Sequence, residues 1–194
     1  MSTRAAAAEV TRTRLIDAAI ERFAADGLGA SFDAVATDVG VTKGALYHHF
    51  GSKDGLVEAV YKEAIRRHAD RAMDASAVGD GRTRLLALVD ASTRLYTSRS
   101  AFYRVLVALH VSAAADRPAL ADIARRMQRN QREFMIDLVR TGQQDGSIRG
   151  DLDPEAVGLT VNAALTGFLT EQLEPATQQR RWAAKFRSLL EDLL

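Results

Sequence analysis

Apolar residues recur along most of this chain at spacings of three and four, with polar residues between them. Leu15, Ile16, Ala19, Ile20 and Phe23 share one face of a first predicted helix, and Gly27 and Gly29 stop it. Ser31 is placed to cap a second helix, with Asp33 in its favourable first turn and Phe32, Val35, Ala36 and Val39 on its inner face. Gly40 breaks that helix. Thr42 then caps a short third one, and Ser52 caps a fourth, with Asp54 near its positive end. The fourth helix carries Leu56, Val57, Val60, Tyr61 and Ala64 inward and ends near Val78–Gly81. Further apolar helices are predicted over about 82–98, 100–114, 118–142, 154–173 and 177–193. Pro118 and Pro154 suit first helical positions, Asp153 is a good cap, and Pro175 separates the last two helices. No strand-like alternation and no internal repeat interrupts this pattern. The expected fold is all-α, with residues 1–55 and the start of a connecting helix over 52–78 forming one domain. Residues 79–194 form a second domain, the boundary lying at Gly79–Gly81.

Composition narrows the chemistry. The chain has 194 residues, 47% of them hydrophobic, which is enough for a substantial core, and it has no Cys. Disulfides, thiol catalysis and cysteine-ligated metals are therefore excluded. No apolar run reaches the roughly 20 residues a membrane span needs. The opening MSTRAAAAEVTRTR has no apolar stretch with secretory flanks, so a cytoplasmic protein without membrane association is expected. The sequence also lacks a phosphate-cradling Gly-rich loop, a metal-ligand cluster and a nucleophile elbow, so an enzyme is not expected. No cofactor and no metal is expected either. His48 and His49 are adjacent, but neighbouring helical residues point about 100° apart, which does not suit a shared ion.

The net charge of +1 says little, but its distribution says more. From Val39 to Lys53 the charged groups are Lys43, Lys53 and potentially His48 and His49. Acids stand on either side, at Asp38 and Asp54, and not within. An anion can be met locally on such a surface. Two short helices joined at Gly40 make a helix-turn-helix pattern. Ala36 lets the helices approach, Gly40 permits the turn, and Val41, Leu46 and Phe50 face inward. Thr42, Lys43, Gly44, Tyr47 and His48 remain outward on a rod that the major groove of B-DNA can admit.

The stretch SFDAVATDVGVTKGALYHHFGSKDGLVEAV resembles the DNA-binding signature of TetR-type (tetracycline-repressor-like) transcriptional regulators, and the resemblance covers residues 12 to about 60. It implies that Thr42, Lys43, Gly44 and Ala45 lie nearest the base edges. Lys43 would donate to guanine O6 or N7, and the Ala45 methyl would meet a thymine methyl. Tyr47 and His49 would reach phosphates, His48 the groove or its wall, and Lys53 a phosphate. Ser31 would offer its hydroxyl to the DNA backbone. Asp33 departs from the family pattern: an acid near phosphate is repelled, so it either caps its helix or restricts the operator. Arg4, Arg12 and Arg14 are read either as a flexible arm toward DNA or as a frayed terminus.

The resemblance also implies a homodimer formed by the last two helices, since one helix-turn-helix reads only a few base pairs. Val157, Val161, Ala164 and Phe168 on the first of these, and Trp182, Phe186, Leu189 and Leu190 on the second, are the expected interface. A pocket for an unknown small-molecule inducer is implied as well. Its candidates are Tyr96, Phe102, Tyr103, Leu106, His110, Phe134, Leu138, Asn162, Thr166 and Phe168, each of which also suits a plain core or surface role. The implied function is a homodimeric repressor released from a palindromic double-stranded DNA operator by the inducer, with the fourth helix transmitting the shift. The alternative is a dimeric DNA-binding regulator without a small-molecule ligand, controlled by a protein partner. A core closed around His110 and Asn162 would favour that alternative.

Overall fold

A computed structural model describes residues 3–115, 117–171 and 173–194, with side chains from residue 5 onward. Among the described residues the chain is all-helical: α1 Thr3–Asp26, α2 Phe32–Val39, α3 Lys43–Phe50, α4 Lys53–Ala75, α5 Gly81–Thr97, α6 Ala101–Ala115, α7 Pro118–Asp145, α8 Pro154–Thr170 and α9 Ala176–Leu193. Among these residues, no helix is long and apolar enough to cross a membrane.

The caps explain most of the boundaries. The Ser31 hydroxyl accepts from the Asp33 N–H at 3.2 Å, Thr42 from Ala45 at 3.2 Å and Ser52 from Gly55 at 3.0 Å. Each satisfies a donor that the first helical turn leaves unpaired. Asp80 and Asp153 do the same for α5 and α8. Three ends lie three residues or more from expectation, α7 running on to Asp145. α4 stops at Ala75, where the Ser76 hydroxyl turns back to donate to the Ala72 carbonyl at 2.9 Å. α8 stops at Thr170 because Glu171 is extended.

The chain divides into two compact units, Met1–Ile65 with Ser100–Ile123, and Arg66–Arg99 with Ala124–Leu194. Residues 100–123, which the linear pattern assigns to the second domain, thus group with the N-terminal helices. The reason is packing: α6 lies against α1. Leu15, Ile16, Ala19, Ile20 and Phe23 of α1 are buried, as are Tyr103, Val105, Leu106 and Leu109 of α6. In the second unit α5 packs against both α8 and α9. Leu85, Leu86, Leu88, Val89, Val157, Val161, Leu165 and Leu190 form buried layers there.

Candidate nucleic-acid interface

The first unit presents α3 on a short, firmly anchored support. α2 ends in a left-handed residue, Gly40, at φ 74° and ψ 32°. Glycine adopts this conformation without the steric cost other residues meet. The Val41 N–H reaches the Ala36 carbonyl at 3.0 Å and the Gly40 N–H reaches Thr37 at 3.1 Å, satisfying the last carbonyls of α2. α3 then leaves at a fixed angle. Leu46 is its buried residue, with no exposed surface, and Val35, Ala36 and Val39 of α2 are buried beneath. Val41, expected to face inward, is half-buried.

The opposite face of α3 is open. Lys43, Gly44, Tyr47 and His48 are exposed, at spacings of one and four that put them on one side of the helix. Thr42 precedes them and is exposed, while Ala45 and His49 are half-buried at the edges. The Tyr47 ring packs on Phe32, centroids 4.8 Å apart, yet 45% of the residue stays exposed. The ring is thus fixed in place while much of the side chain remains available. The His48 and His49 rings lie edge to face at 5.9 Å, and Phe50 follows at 6.1 Å from His49.

Both lysines have partners. Lys43 Nζ donates to one Asp33 carboxylate oxygen at 3.0 Å and lies 2.9 Å from the other. This hydrogen bond holds the Lys43 ammonium above its ordinary pKa. Lys53 Nζ donates to the Gly29 carbonyl at 2.7 Å, tying the loop before α2 to the start of α4.

The arginines of α1 form no flexible arm among the described residues. Ala5–Ala8 carry α1 back to Thr3, as the high helix propensity of alanine favours. The Arg12 guanidinium lies 5.5 Å over the Phe50 ring, and Arg14 donates to the Val39 carbonyl, at the end of α2, at 3.2 Å. The side chain of Arg4 lies outside the described residues. Arg22 grips Asp38 with two bonds, 2.6 and 2.8 Å, and this pairing depresses the Asp38 pKa. The reading helices are therefore strapped to α1 at Arg14 and Arg22, contacts that sequence spacing does not signal. Gly55 was also missed. A Cβ there would collide with the Phe50 carbonyl oxygen, so the corner between α3 and α4 needs a residue without one.

The expected ligand residues fall in both units. In the first, Tyr103 and Leu106 are buried and Phe102 is half-buried. His110 Nδ1 lies 3.4 Å from the Tyr61 hydroxyl. Burial lowers the His110 pKa and pushes Tyr61 up to about 12. In the second, the Tyr96 hydroxyl lies 3.0 Å from His68 Nε2, and burial brings His68 down to about 4. Leu138 and Asn162 are buried there, while Phe134, Thr166 and Phe168 are half-buried. The Asn162 side-chain oxygen has no hydrogen-bond partner among the described residues. Three clefts, of about 460, 390 and 220 Å³, are lined by other residues.

The expected interface residues separate into two groups. Val157, Val161 and Leu190 are buried within the single chain, since α8 and α9 turn these positions into the bundle. They are core residues and offer little surface to a partner. Trp182 and Leu189 are exposed, Ala164 is half-buried, and half-buried Phe168 and Phe186 pair at 5.9 Å.

Comparison with known proteins agrees with this geometry. Residues 15–60 match the model of bacterial regulatory proteins of the tetR family, and residues 81–194 match the C-terminal domain of BetI-type transcriptional repressors. The HTH-type transcriptional regulator UidR of Escherichia coli K12 is 25% identical over 189 residues, covering 96% of this chain and 94% of its own. The HTH-type transcriptional repressor KstR2 of Mycolicibacterium smegmatis is 30% identical over 151 residues, covering 75% and 71%. A TetR transcriptional regulator from Chloroflexus aurantiacus J-10-FL superposes with a TM-score of 0.81 at 24% identity, covering 94% of this chain and 95% of that one. These matches, together with the helix-turn-helix built by α2, Gly40 and α3, identify the chain as a member of the TetR family of transcriptional regulators, DNA-binding proteins that are not enzymes.

Proposed function

We propose that this regulator is a homodimeric repressor that holds a palindromic operator through paired α3 helices and is released by a small-molecule inducer. The observation that carries the reading is the outer face of α3, with Lys43, Gly44, Tyr47 and His48 exposed on a helix anchored from behind by Leu46. Thr42 and Ala45 extend that face toward base edges, and Tyr47, His49, Ser31 and Lys53 toward phosphates. Pairing through Trp182, Leu189, Phe168 and Phe186 would supply the two-fold symmetry. Exposed Ala156, Thr160, Ala163 and Gly167 lie on the outer side of α8, where small residues allow a second helix to come close. The unmet acceptor on Asn162 favours an inducer that brings a hydrogen-bond donor.

Selection of bound duplexes from a random pool tests the reading. Two inverted half-sites separated by one helical turn, about 34 Å, are expected. Enrichment of a single unrepeated site, or no enrichment, would overturn it. Screening small molecules by thermal shift then seeks the inducer, because a ligand that binds only the folded state raises apparent stability.

A further inference from the structure

Within the reading that α3 enters DNA, one charge is out of place. Asp33 stands on the first turn of α2, and its carboxylate faces the start of α3. The residue is not consumed by capping, because the Ser31 hydroxyl already accepts from the Asp33 N–H. Two other acids near this surface are bound elsewhere, Asp38 by Arg22 and Asp54 by Arg117. The Asp33 carboxylate instead holds the Lys43 ammonium, one oxygen by a hydrogen bond and the other close by, and both side chains are more than half exposed. Lys53 differs: its partner is the neutral carbonyl of Gly29, so its positive charge stays uncompensated there.

We propose that Asp33 is a specificity-determining residue, which withholds the Lys43 cation from phosphates of random-sequence DNA and yields it only to acceptors on a base edge. The physical basis is the difference between the two kinds of acceptor. A phosphate approaching Lys43 also approaches Asp33, and the repulsion between the two anions offsets the attraction to the ammonium. A guanine edge carries only partial charges at O6 and N7, so it competes for the ammonium without meeting that repulsion. Generic affinity therefore falls on Lys53, and Lys43 contributes mainly where sequence fits. Asp33 acts through Lys43 as a positioning residue.

The test uses the full chain and four proteins: wild type, Asp33→Asn, Lys43→Gln and the double variant. Affinities for the selected operator and for a random duplex are measured across a salt series. Asp33→Asn keeps the backbone N–H that Ser31 caps, and Asp33→Ala serves as a second version of the same change. The expected result is random-duplex binding about two- to fivefold tighter, with a salt dependence steeper by about 0.9 in log–log slope. The ratio of operator to random affinity shrinks accordingly, and the effect is smaller in the Lys43→Gln background, where only the repulsion between Asp33 and phosphate is relieved and no ammonium is freed. Unchanged random-duplex affinity and slope would overturn the proposal. So would an equal effect in the Lys43→Gln background, which would show Asp33 repelling phosphates by itself. A wild-type protein that binds neither duplex sinks the DNA-binding reading, whereas wild-type binding with an inert Asp33 sinks only this inference.

Discussion

Replacing Leu46 with alanine tests how α3 is held. α3 spans eight residues, Lys43–Phe50, and such a short helix is marginal in water by itself. Leu46 is its buried residue and has no exposed surface. Truncating a fully buried leucine costs about 2–5 kcal/mol, from lost transfer energy and the cavity left behind. A loss of about 3 kcal/mol confined to α3 lowers the docked population about 150-fold relative to the opened one. Operator affinity falls only once the docked form ceases to dominate, because apparent affinity scales with the competent fraction. The assay pairs urea unfolding with operator binding, and adds amide exchange over residues 43–50. Far-UV circular dichroism is the suitable stability probe, because the single tryptophan, Trp182, lies in the other compact unit. Faster exchange across α3, with a stability loss in the stated range, is expected. A loss below about 1 kcal/mol with unchanged exchange would refute the view that Leu46 braces the reading helix.

Other outcomes follow from the same geometry. Lys43→Ala relaxes preference at one base pair by about 1–3 kcal/mol, whereas Lys53→Ala weakens all duplexes alike and lowers the salt slope by about 0.9; titrating both variants against operator and mismatched duplexes separates them. Gly55→Ala is more damaging than Gly40→Ala, because its Cβ meets the Phe50 carbonyl while a Cβ at Gly40 has no atom within 4 Å and only a left-handed φ to bear; thermal unfolding ranks the two. Stability falls on acidification from about pH 6.5 toward pH 4. His68 is held neutral in the fold down to about 4, so the unfolded chain takes up its proton first, and up to about 3 kcal/mol is lost below both values. His110, lowered in the same direction, adds to the loss. Denaturation of His68→Gln across this range should show a flatter profile, and an unchanged profile would rule out His68 as its source.

Much of this fold was legible because helices announce themselves locally. Apolar spacing marked the helices, and Ser31, Thr42, Ser52 and Asp153 cap where a short polar side chain precedes an apolar face. The N-terminal arginines left an arm and a frayed terminus both open, and the alanines between Arg4 and Arg12 carry α1 back to Thr3. Contacts that join distant parts of the chain were not legible. Asp33 reaches Lys43 across a turn, Arg22 reaches Asp38 from another helix, and Lys53 reaches back to Gly29. No periodicity encodes such pairs. The apolar stripes of α8 and α9 were visible, but period alone does not say whether a stripe faces its own bundle or a neighbour. Val157, Val161 and Leu190 proved inward, and Trp182 and Leu189 outward.

The seat of α6 against α1 has a practical consequence for anyone building hybrids of this regulator. The piece that would carry the operator preference is stitched from two stretches far apart in sequence, so a cut after the fourth helix does not release it whole. A chimera spliced there to a foreign sensor would leave the oily back of α1 bare and inclined to clump. One that keeps residues 100–123 brings its own lining along.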